Sequence, residues 1–463
     1  MKIAFTTLGC KLNYAETSTY ERGFKAAGWE VVPWNAQADV YLINTCSVTE
    51  TAEKKSRNLI RRAHKTAPSA HIVVTGCYAQ LRREQLLTID GVWKVFGADE
   101  KCLIIPEITS SCTNNAVFVH QNPENTGSCT NNANFVHQNA ENTGSCTKNA
   151  NFVHQNPENT GSCTKNANFV HQVFGAYSSG ERTRSFLKVQ DGCDNFCAYC
   201  TVPFARGRSR NIPICEAVKA AREIAAQGIK EVVLTGVNTG DFGRTTGERF
   251  LDLLKELNQV DGIERYRISS IEPNLITPEI IDWIASGTKF QPHFHIPLQS
   301  GSDTLLKKVG RRYDTALFAS RIDYIREAME GPGKPKVFFG IDVIVGLPGE
   351  TEELFQETYN FLKDRIRPAF IHVFPYSKRP GTRAATWPDQ VHDAIKTERV
   401  ARLEALCQEL HSAFTAANQG LRTTVLWESS QKNGLMGGYT ANYLRLERPF
   451  DPERINQIEE VTL

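Results

Sequence analysis

The 463-residue chain is expected to be an α/β protein with an N-terminal parallel α/β unit, an incomplete (β/α)6 barrel and a small C-terminal β-barrel, interrupted by a low-complexity repeat. Three observations predict this. Apolar runs of strand length alternate with helical stretches over residues 1–108 and again over 179–410, the succession that builds parallel sheets. The polar, glycine-rich segments follow the strands, as they do at the ligand-binding end of such sheets. The final stretch, 422–463, switches to short alternating strands without a helical pattern.

In residues 1–108 the strands are KIAFTTL, DVYLINT and HIVVTG, with helical patterns in ETSTYERGFKAAG and TAEKKSRNLIRRAHKTA. Each strand runs into a cysteine: Cys10, Cys46 and Cys77. Neighbouring strands lie about 4.8 Å apart, so three such tips can share one small cluster. The basic stretch KKSRNLIRRAHK offers a patch for an acidic partner, although on a helix its charges mostly face water.

Residues 109–172 break the composition. A 17-residue unit, as in SCTNNANFVHQNAENTG, repeats with cysteines at Cys112, Cys129, Cys146 and Cys163, and residues 112–172 hold 15 asparagines. Each copy has one four-residue apolar patch, too little for a core, so the segment is expected to be a flexible insertion. The recurring Cys-to-His spacing follows from copying the unit and does not by itself define a ligand set.

Residues 179–410 give six strand candidates, SFLKVQ, EVVLTG, RYRISSI, HFHIPLQ, FFGIDVIVG and AFIHVFP, separated by helical stretches. Six units fall short of the eight of a closed barrel. Thr235, Gly236 and Asn238 follow the second strand, Glu272 the third, Gln299 and Ser300 the fourth, and Gly346 the fifth. His295 and His372 lie within strands as core or pocket lining, and Arg206, Arg208 and Arg210 form a basic run suited to phosphate or carboxylate. The last segment, TTVLWESSQKNGLMGGYTANYLRLERPF onward, is a minimal β appendage, barely large enough to fold alone.

Composition narrows the function classes. The start, MKIAFTTLGC, is too short an apolar run for a signal peptide, and VFFGIDVIVGLPG is interrupted by Asp342, so a cytoplasmic protein without membrane association is expected. In that compartment thiols stay reduced, so clustered members of the 13 cysteines point to metal or catalysis. A net charge of +2 means that a nucleic-acid partner must be met by local patches.

The stretch DGCDNFCAYCTVPFARGRSR sets Cys193, Cys197 and Cys200 in a C-x3-C-x2-C spacing, with Tyr199 before the last cysteine. Three thiolates are one ligand short of the four that a closed zinc or iron-sulfur site takes. The loop resembles that of the radical S-adenosylmethionine superfamily, in which the cofactor's amino and carboxylate groups chelate the open iron of a 4Fe-4S cluster. Together with TLGCKLN, INTCSVT, VTGCYAQ and the C-terminal GYTANYLRL, it looks like the methylthiotransferases, over nearly the whole chain except the repeats. Within that family the sequence is most similar to the branch acting on threonylcarbamoyladenosine in tRNA; the isopentenyladenosine branch reads closer to YGCQMN and the ribosomal-protein branch to SLGCPKN.

The resemblance implies two 4Fe-4S clusters, one on Cys193, Cys197 and Cys200 and an auxiliary one on Cys10, Cys46 and Cys77. It implies S-adenosylmethionine held by Tyr199, Thr235, Gly236, Asn238, Glu272, Gln299, Ser300 and Gly346. It also implies a deoxyadenosyl radical that removes hydrogen from carbon 2 of adenine, a position with no acidic proton for acid-base chemistry. The expected partners are a tRNA anticodon stem-loop and a reduced flavodoxin- or ferredoxin-type electron donor, and the expected state is a monomer with a C-terminal TRAM domain. Two alternatives remain: another methylthiotransferase branch, or a tRNA-binding iron-sulfur protein without turnover.

Overall fold

The computed structural model describes residues 1–113, 173–180 and 183–463. One compact unit, Met1–Thr109 with Gln172–Leu463, carries the architecture below. The repeat cysteines after Cys112, and the insertion predicted around them, lie outside the described residues.

The chain begins β1 (Lys2–Thr7), α1 (Lys11–Ala26), β2 (Glu30–Val32), β3 (Val40–Thr45), α2 (Glu50–Thr66), β4 (His71–Gly76), α3 (Cys77–Leu81), α4 (Arg83–Leu87), β5 (Val92–Val95) and α5 (Ile104–Thr113). All five strands are parallel, in the order β2-β1-β3-β4-β5. The three expected strands are its centre. The edge strands β2 and β5 lacked a long apolar run, because an edge strand buries less than a central one. Helix α1 starts at Lys11, five residues before the stretch that announced it, and α5 runs past the boundary expected at residue 108. Helix α2 is capped by Thr49, whose hydroxyl accepts from the Ala52 N–H at 3.2 Å, with Glu50 and Glu53 in the first turn and Lys65 in the last. That arrangement suits the helix dipole.

The chain continues with β6 (Ala176–Tyr177), β7 (Arg184–Lys188), β8 (Gln190–Asp191), α6 (Val202–Arg206), β9 (Arg210–Asn211), α7 (Ile214–Ala226), β10 (Glu231–Thr235), α8 (Phe250–Asn258), β11 (Arg265–Ile268), α9 (Pro278–Ala285), β12 (His293–Gln299), α10 (Asp303–Val309), α11 (Thr315–Met329), β13 (Phe338–Val345), α12 (Glu352–Asn360), β14 (Phe370–Pro375) and α13 (Asp393–Ala417). All six expected strands are present. They form two sheets, β11-β10-β7-β6 and β12-β13-β14, with a single bridge, Tyr266 to Phe290, leading from β11 towards β12. Along each strand the residues alternate in character, as the two-residue period of a strand requires. Leu187, Leu234, Ile268, Ile296, Ile341 and Ile371 join the apolar core beneath the helices. Their neighbours Lys188, Arg267, His295, Asp342 and His372, and Glu231 three residues before Leu234, lie on the opposite, polar face.

The C-terminal strands β15 (Arg422–Lys432), β16 (Leu435–Thr440), β17 (Arg445–Pro449) and β18 (Ile458–Thr462) form an antiparallel sheet in the order β17-β16-β15-β18. Its own apolar core is small, centred on Val425, Trp427 and Met436. The sheet is instead tied to the polar face. Arg267, fully buried, donates to Glu231 at 2.8 Å and to the Thr440 and Ala441 carbonyls at 2.8 and 2.9 Å. Arg265 donates to the Tyr439 carbonyl at 3.1 Å and to Thr424 Oγ1 at 2.6 Å.

Candidate functional site

The order β2-β1-β3 reverses the chain's progress across the N-terminal sheet between β1 and β3, and open α/β sheets hold ligands at such a reversal. Cys10 follows β1 after a two-residue turn and is the N-cap of α1; Cys46 directly follows β3; Cys77 directly follows β4 and opens α3. The expectation that each strand ends on its cysteine therefore needs adjusting for Cys10, which lies three residues beyond. Two glycines permit the approach. Gly9 has φ +113°, and a Cβ there would lie 3.0 Å from Cys46 Cβ; Gly76 has φ +97°, and a Cβ there would lie 2.3 Å from the Thr45 carbonyl oxygen. Asn13 locks the turn, donating to the Leu8 carbonyl at 2.8 Å and to the Thr45 carbonyl at 3.0 Å.

Beneath these tips lies a buried ionic network. Glu16 on α1 accepts from Lys101 at 2.7 Å, from Lys188 at 2.7 Å and from Arg206 at 3.3 Å. Asp191 accepts from Lys188 at 2.7 Å and from Arg206 at 2.9 Å. Three cations face two carboxylates, so one positive charge is left over. Arg206 also donates to Asn13 Oδ1. Burial raises the Cys46 thiol to about 11, and burial also raises Cys77, against which Arg206 acts in the opposite direction. A cluster carried by three thiolates is anionic, and the surplus cation fits it.

The second triad lies on the loop between β8 and α6. Cys193 and Cys197 are buried and Cys200 is half-buried. Each sulfur has a donor: the Asn195 N–H reaches Cys193 Sγ at 3.5 Å, the Val202 N–H reaches Cys200 Sγ at 3.4 Å, and Arg311 Nη1 reaches Cys197 Sγ at 3.2 Å. Burial pushes Cys193 up to about 11 and Cys200 up to about 12, so the free thiols hold their protons at neutral pH. Three convergent sulfurs, each with an N–H donor, fit a thiolate-ligated cluster.

Several expected strand-end residues gather around this loop. Glu272 accepts from Arg311 at 2.6 Å and from Asn195 at 2.7 Å, and the Glu272 N–H donates to Asn238 Oδ1 at 3.2 Å. The Asn238 N–H donates to Gln190 Oε1 at 3.0 Å, beside Gly236. Thr235 is buried at the same strand end, and Tyr199 packs on the apolar group of Ala198, Val309 and Leu347. Gln299 adopts a left-handed backbone, φ +71°. The Ser300 hydroxyl is engaged by Thr358 at 3.1 Å, and the Gly346 N–H by Glu350 at 2.5 Å, so both organise the loop ends from the helix side.

The basic run does not form one surface. Arg206 is buried in the network, Arg210 donates to the Arg206 carbonyl at 2.7 Å, and only Arg208, with its side chain 82% exposed, faces water. Sequence reasoning missed Arg311, Glu16, Lys101 and Lys188. Glu16 had a signal: it shares the buried stripe of α1 with Leu12, Asn13, Tyr20 and Phe24, an apolar position taken by an acid. Arg311 had none.

The radical SAM superfamily model matches residues 187–362, and the model of the uncharacterized protein family UPF0004 matches residues 2–97. The threonylcarbamoyladenosine tRNA methylthiotransferase MtaB of Bacillus subtilis is 37% identical over 467 residues, covering 100% of this chain and 93% of that relative. The MtaB of Aquifex aeolicus is 34% identical, covering 97% of each. The tRNA-2-methylthio-N(6)-dimethylallyladenosine synthase of Geobacter metallireducens is 30% identical, covering 92% of this chain and 87% of that one. Among solved structures, the radical S-adenosylmethionine methyltransferase TsrM from Kitasatospora setae, with cobalamin and a 4Fe-4S cluster bound, has a TM-score of 0.53 at 14% identity. It covers 83% of this chain and 74% of that one, a likeness of fold alone.

Proposed function

The chain belongs to the threonylcarbamoyladenosine tRNA methylthiotransferases, and we infer from that membership that it adds a methylthio group to carbon 2 of N6-threonylcarbamoyladenosine next to the tRNA anticodon. As a radical SAM protein it uses a 4Fe-4S cluster and S-adenosylmethionine. The observation that carries the reading is the presence, in one chain matched along its length, of two cysteine triads linked by the Glu16–Arg206–Asp191 network.

Cys193, Cys197 and Cys200 hold the radical cluster, and Cys10, Cys46 and Cys77 hold an auxiliary one. The first cluster supplies the electron that makes S-adenosylmethionine a hydrogen-abstracting reagent, and the second supplies the sulfur. The protein's own part is positional. Arg311 and the loop amides donate to the thiol sulfurs, and Glu272, Thr235, Asn238 and Gly236 would hold the polar groups of the cofactor. Tyr199, Gln299, Ser300 and Gly346 shape the rest of its rim.

The two sheets, parallel except for β6, with their helices are read as an incomplete (β/α)6 barrel spanning 179–410, the first 108 residues as the auxiliary-cluster domain, 422–463 as a TRAM-like domain and 109–172 as an insertion. A reduced flavodoxin- or ferredoxin-type protein is the electron donor, since the chain's own side chains include no one-electron reductant. Among the described residues no helix is long and apolar enough to cross a membrane. The chain is read as a monomer working in the cytoplasm. Mass spectrometry of tRNA nucleosides from cells with and without the gene tests the function. The methylthio form of N6-threonylcarbamoyladenosine should disappear with the gene; its persistence would overturn the assignment.

A further inference from the structure

Two cavities meet on the polar face of the sheets. The larger, about 1070 Å³, is lined by His295, His372, His411, Phe338, Phe370 and Tyr439 among others; the smaller is lined by Cys10, Arg184, Arg267 and Tyr14 among others. Lys11, His293 and Tyr443 belong to both. The space therefore runs from the first auxiliary cysteine to the histidines of β12 and β14.

Its electrostatics are lopsided. Arg184 pairs with Glu428 at 2.9 Å and with Glu231 at 3.6 Å, and Glu231 also takes Arg267 at 2.8 Å and Arg265 at 3.6 Å. Asp342 accepts from His295 Nε2 at 2.6 Å. Every carboxylate here is engaged. Lys11 is the exception among the cations: no carboxylate among the described residues pairs with it. His372 stacks on His295 at 5.0 Å, and burial, with His295 beside it, lowers its pKa, so its ring enters as a neutral donor and acceptor.

His295, Asp342 and His372 bring their ligand atoms within 4.8 Å of one another, which also suits a metal ion. The 2.6 Å contact argues otherwise, because ligands at roughly 2.1 Å around one ion stand about 3 Å or more apart. The contact is a hydrogen bond that orients His295, leaving its other ring nitrogen for a ligand.

A ligand suited to this space has a flat ring to lie among Phe338, Phe370, Tyr439 and Tyr443, a carboxylate for Lys11, and hydrogen-bonding groups for two imidazoles. Resting on the function proposed above, we propose that Lys11, His295 and His372 select the acidic N6 substituent of the substrate adenine. The Lys11 ammonium takes the threonine carboxylate, and the imidazoles take its ureido and hydroxyl groups. An apolar N6 substituent would leave Lys11 buried without a counter-charge, so the same contacts reject it.

The test compares two anticodon stem-loops, one with N6-threonylcarbamoyladenosine and one with its methyl ester, by kcat/KM and by Kd from anisotropy without reductant. The wild-type protein should prefer the acid. In Lys11→Met the acid should lose roughly ten- to hundredfold, the loss expected for a hydrogen bond to a charged group, while the ester changes less than about threefold. Lys11→Arg should restore part of the preference, and His372→Phe should weaken acid and ester alike. Iron content equal to the wild type confirms that each variant is folded. A Lys11→Met protein that keeps the acid preference, or loses acid and ester equally, would overturn the proposal. A wild-type protein inactive on both stem-loops would instead overturn the function on which the proposal rests, and the proposal with it.

Discussion

The two cysteine triads solve one problem in opposite ways. Cys193, Cys197 and Cys200 lie within eight residues of chain, and their environment is closed by two loop amides and by Arg311, whose charge Glu272 balances at 2.6 Å. Cys10, Cys46 and Cys77 come from three separate strand ends, and their environment carries an unbalanced cation assembled from α1, Lys101, β7 and α6. The loop site takes its three sulfurs and two of its donors from one short stretch, and only Arg311 and Glu272 reach it from elsewhere. A site on a sheet can exist only when the sheet exists, and its charge balance depends on segments more than 150 residues away.

The comparison breaks most visibly if the triads are exchanged separately. Replacing Cys193, Cys197 and Cys200 by alanine should halve the iron and abolish 5′-deoxyadenosine formation on reduction; retained cleavage would refute the assignment of that triad. Replacing Cys10, Cys46 and Cys77 should also halve the iron but leave cleavage in place, with the methylthio product lost. Loss of cleavage there would show that the roles are not divided.

Next in size is the network. Arg206→Met removes the surplus cation and its bonds to Glu16 and Asp191, and losing a hydrogen bond to a buried charged group costs about 1.5–3 kcal/mol. Chemical denaturation should show that loss, with iron falling more at the auxiliary triad than at the radical one. Equal losses at both would mean that Arg206 serves the fold alone.

A smaller effect of pH is shared by both triads in the metal-free protein, since burial raises Cys46 and Cys77 as well. Cys193 and Cys200 are raised from an ordinary value of 9.0 to about 11 and about 12. The folded state then binds more protons than the unfolded state between these values, so stability is intact below pH 9 and falls as pH rises towards 12. Thermal melts across that window should show the fall, and Cys193→Ala with Cys200→Ala should reduce it to the share that Cys46 and Cys77 contribute. The smallest effect belongs to Arg208→Ala. Its exposed side chain contributes little to folding, but if it meets a tRNA phosphate the slope of log affinity against log salt should drop by about one. An unchanged slope would remove Arg208 from the interface.

Legibility in the sequence followed the same division. The radical loop was visible as a spacing, and all six strands behind it as apolar runs. The N-terminal cysteines were visible only through the strands they follow, which placed Cys46 and Cys77 closely and Cys10 less so. The partners that hold both sites were mostly invisible. Arg311, Lys101 and Lys188 are ordinary basic residues until the fold sets an acid beside them, and a buried ion pair leaves no periodic trace. Glu16 was the exception, an acid on the buried stripe of α1. The C-terminal sheet was recognised as strands, but its dependence on Arg265 and Arg267 was not, since all but one of those bonds go to backbone carbonyls that any sequence would offer. Deleting 422–463 would therefore strip acceptors from buried arginines, and single exposed substitutions in that sheet are the cleaner probe of RNA contact.

The carbonyls of Tyr439, Thr440 and Ala441 also set an order of events during translation. Arg265 and Arg267 are synthesised more than 170 residues before these acceptors. Until the ribosome has released that stretch, the polar face has neither its cover nor its partners, and Glu231 must balance arginines that water still reaches. The polar face of the central sheets is thus covered late and from the C-terminal side, against the usual N-to-C direction of domain folding on the ribosome. Nascent chains stalled before residue 440 should stay open to protease across β10 and β11, and chains released beyond residue 443 should close.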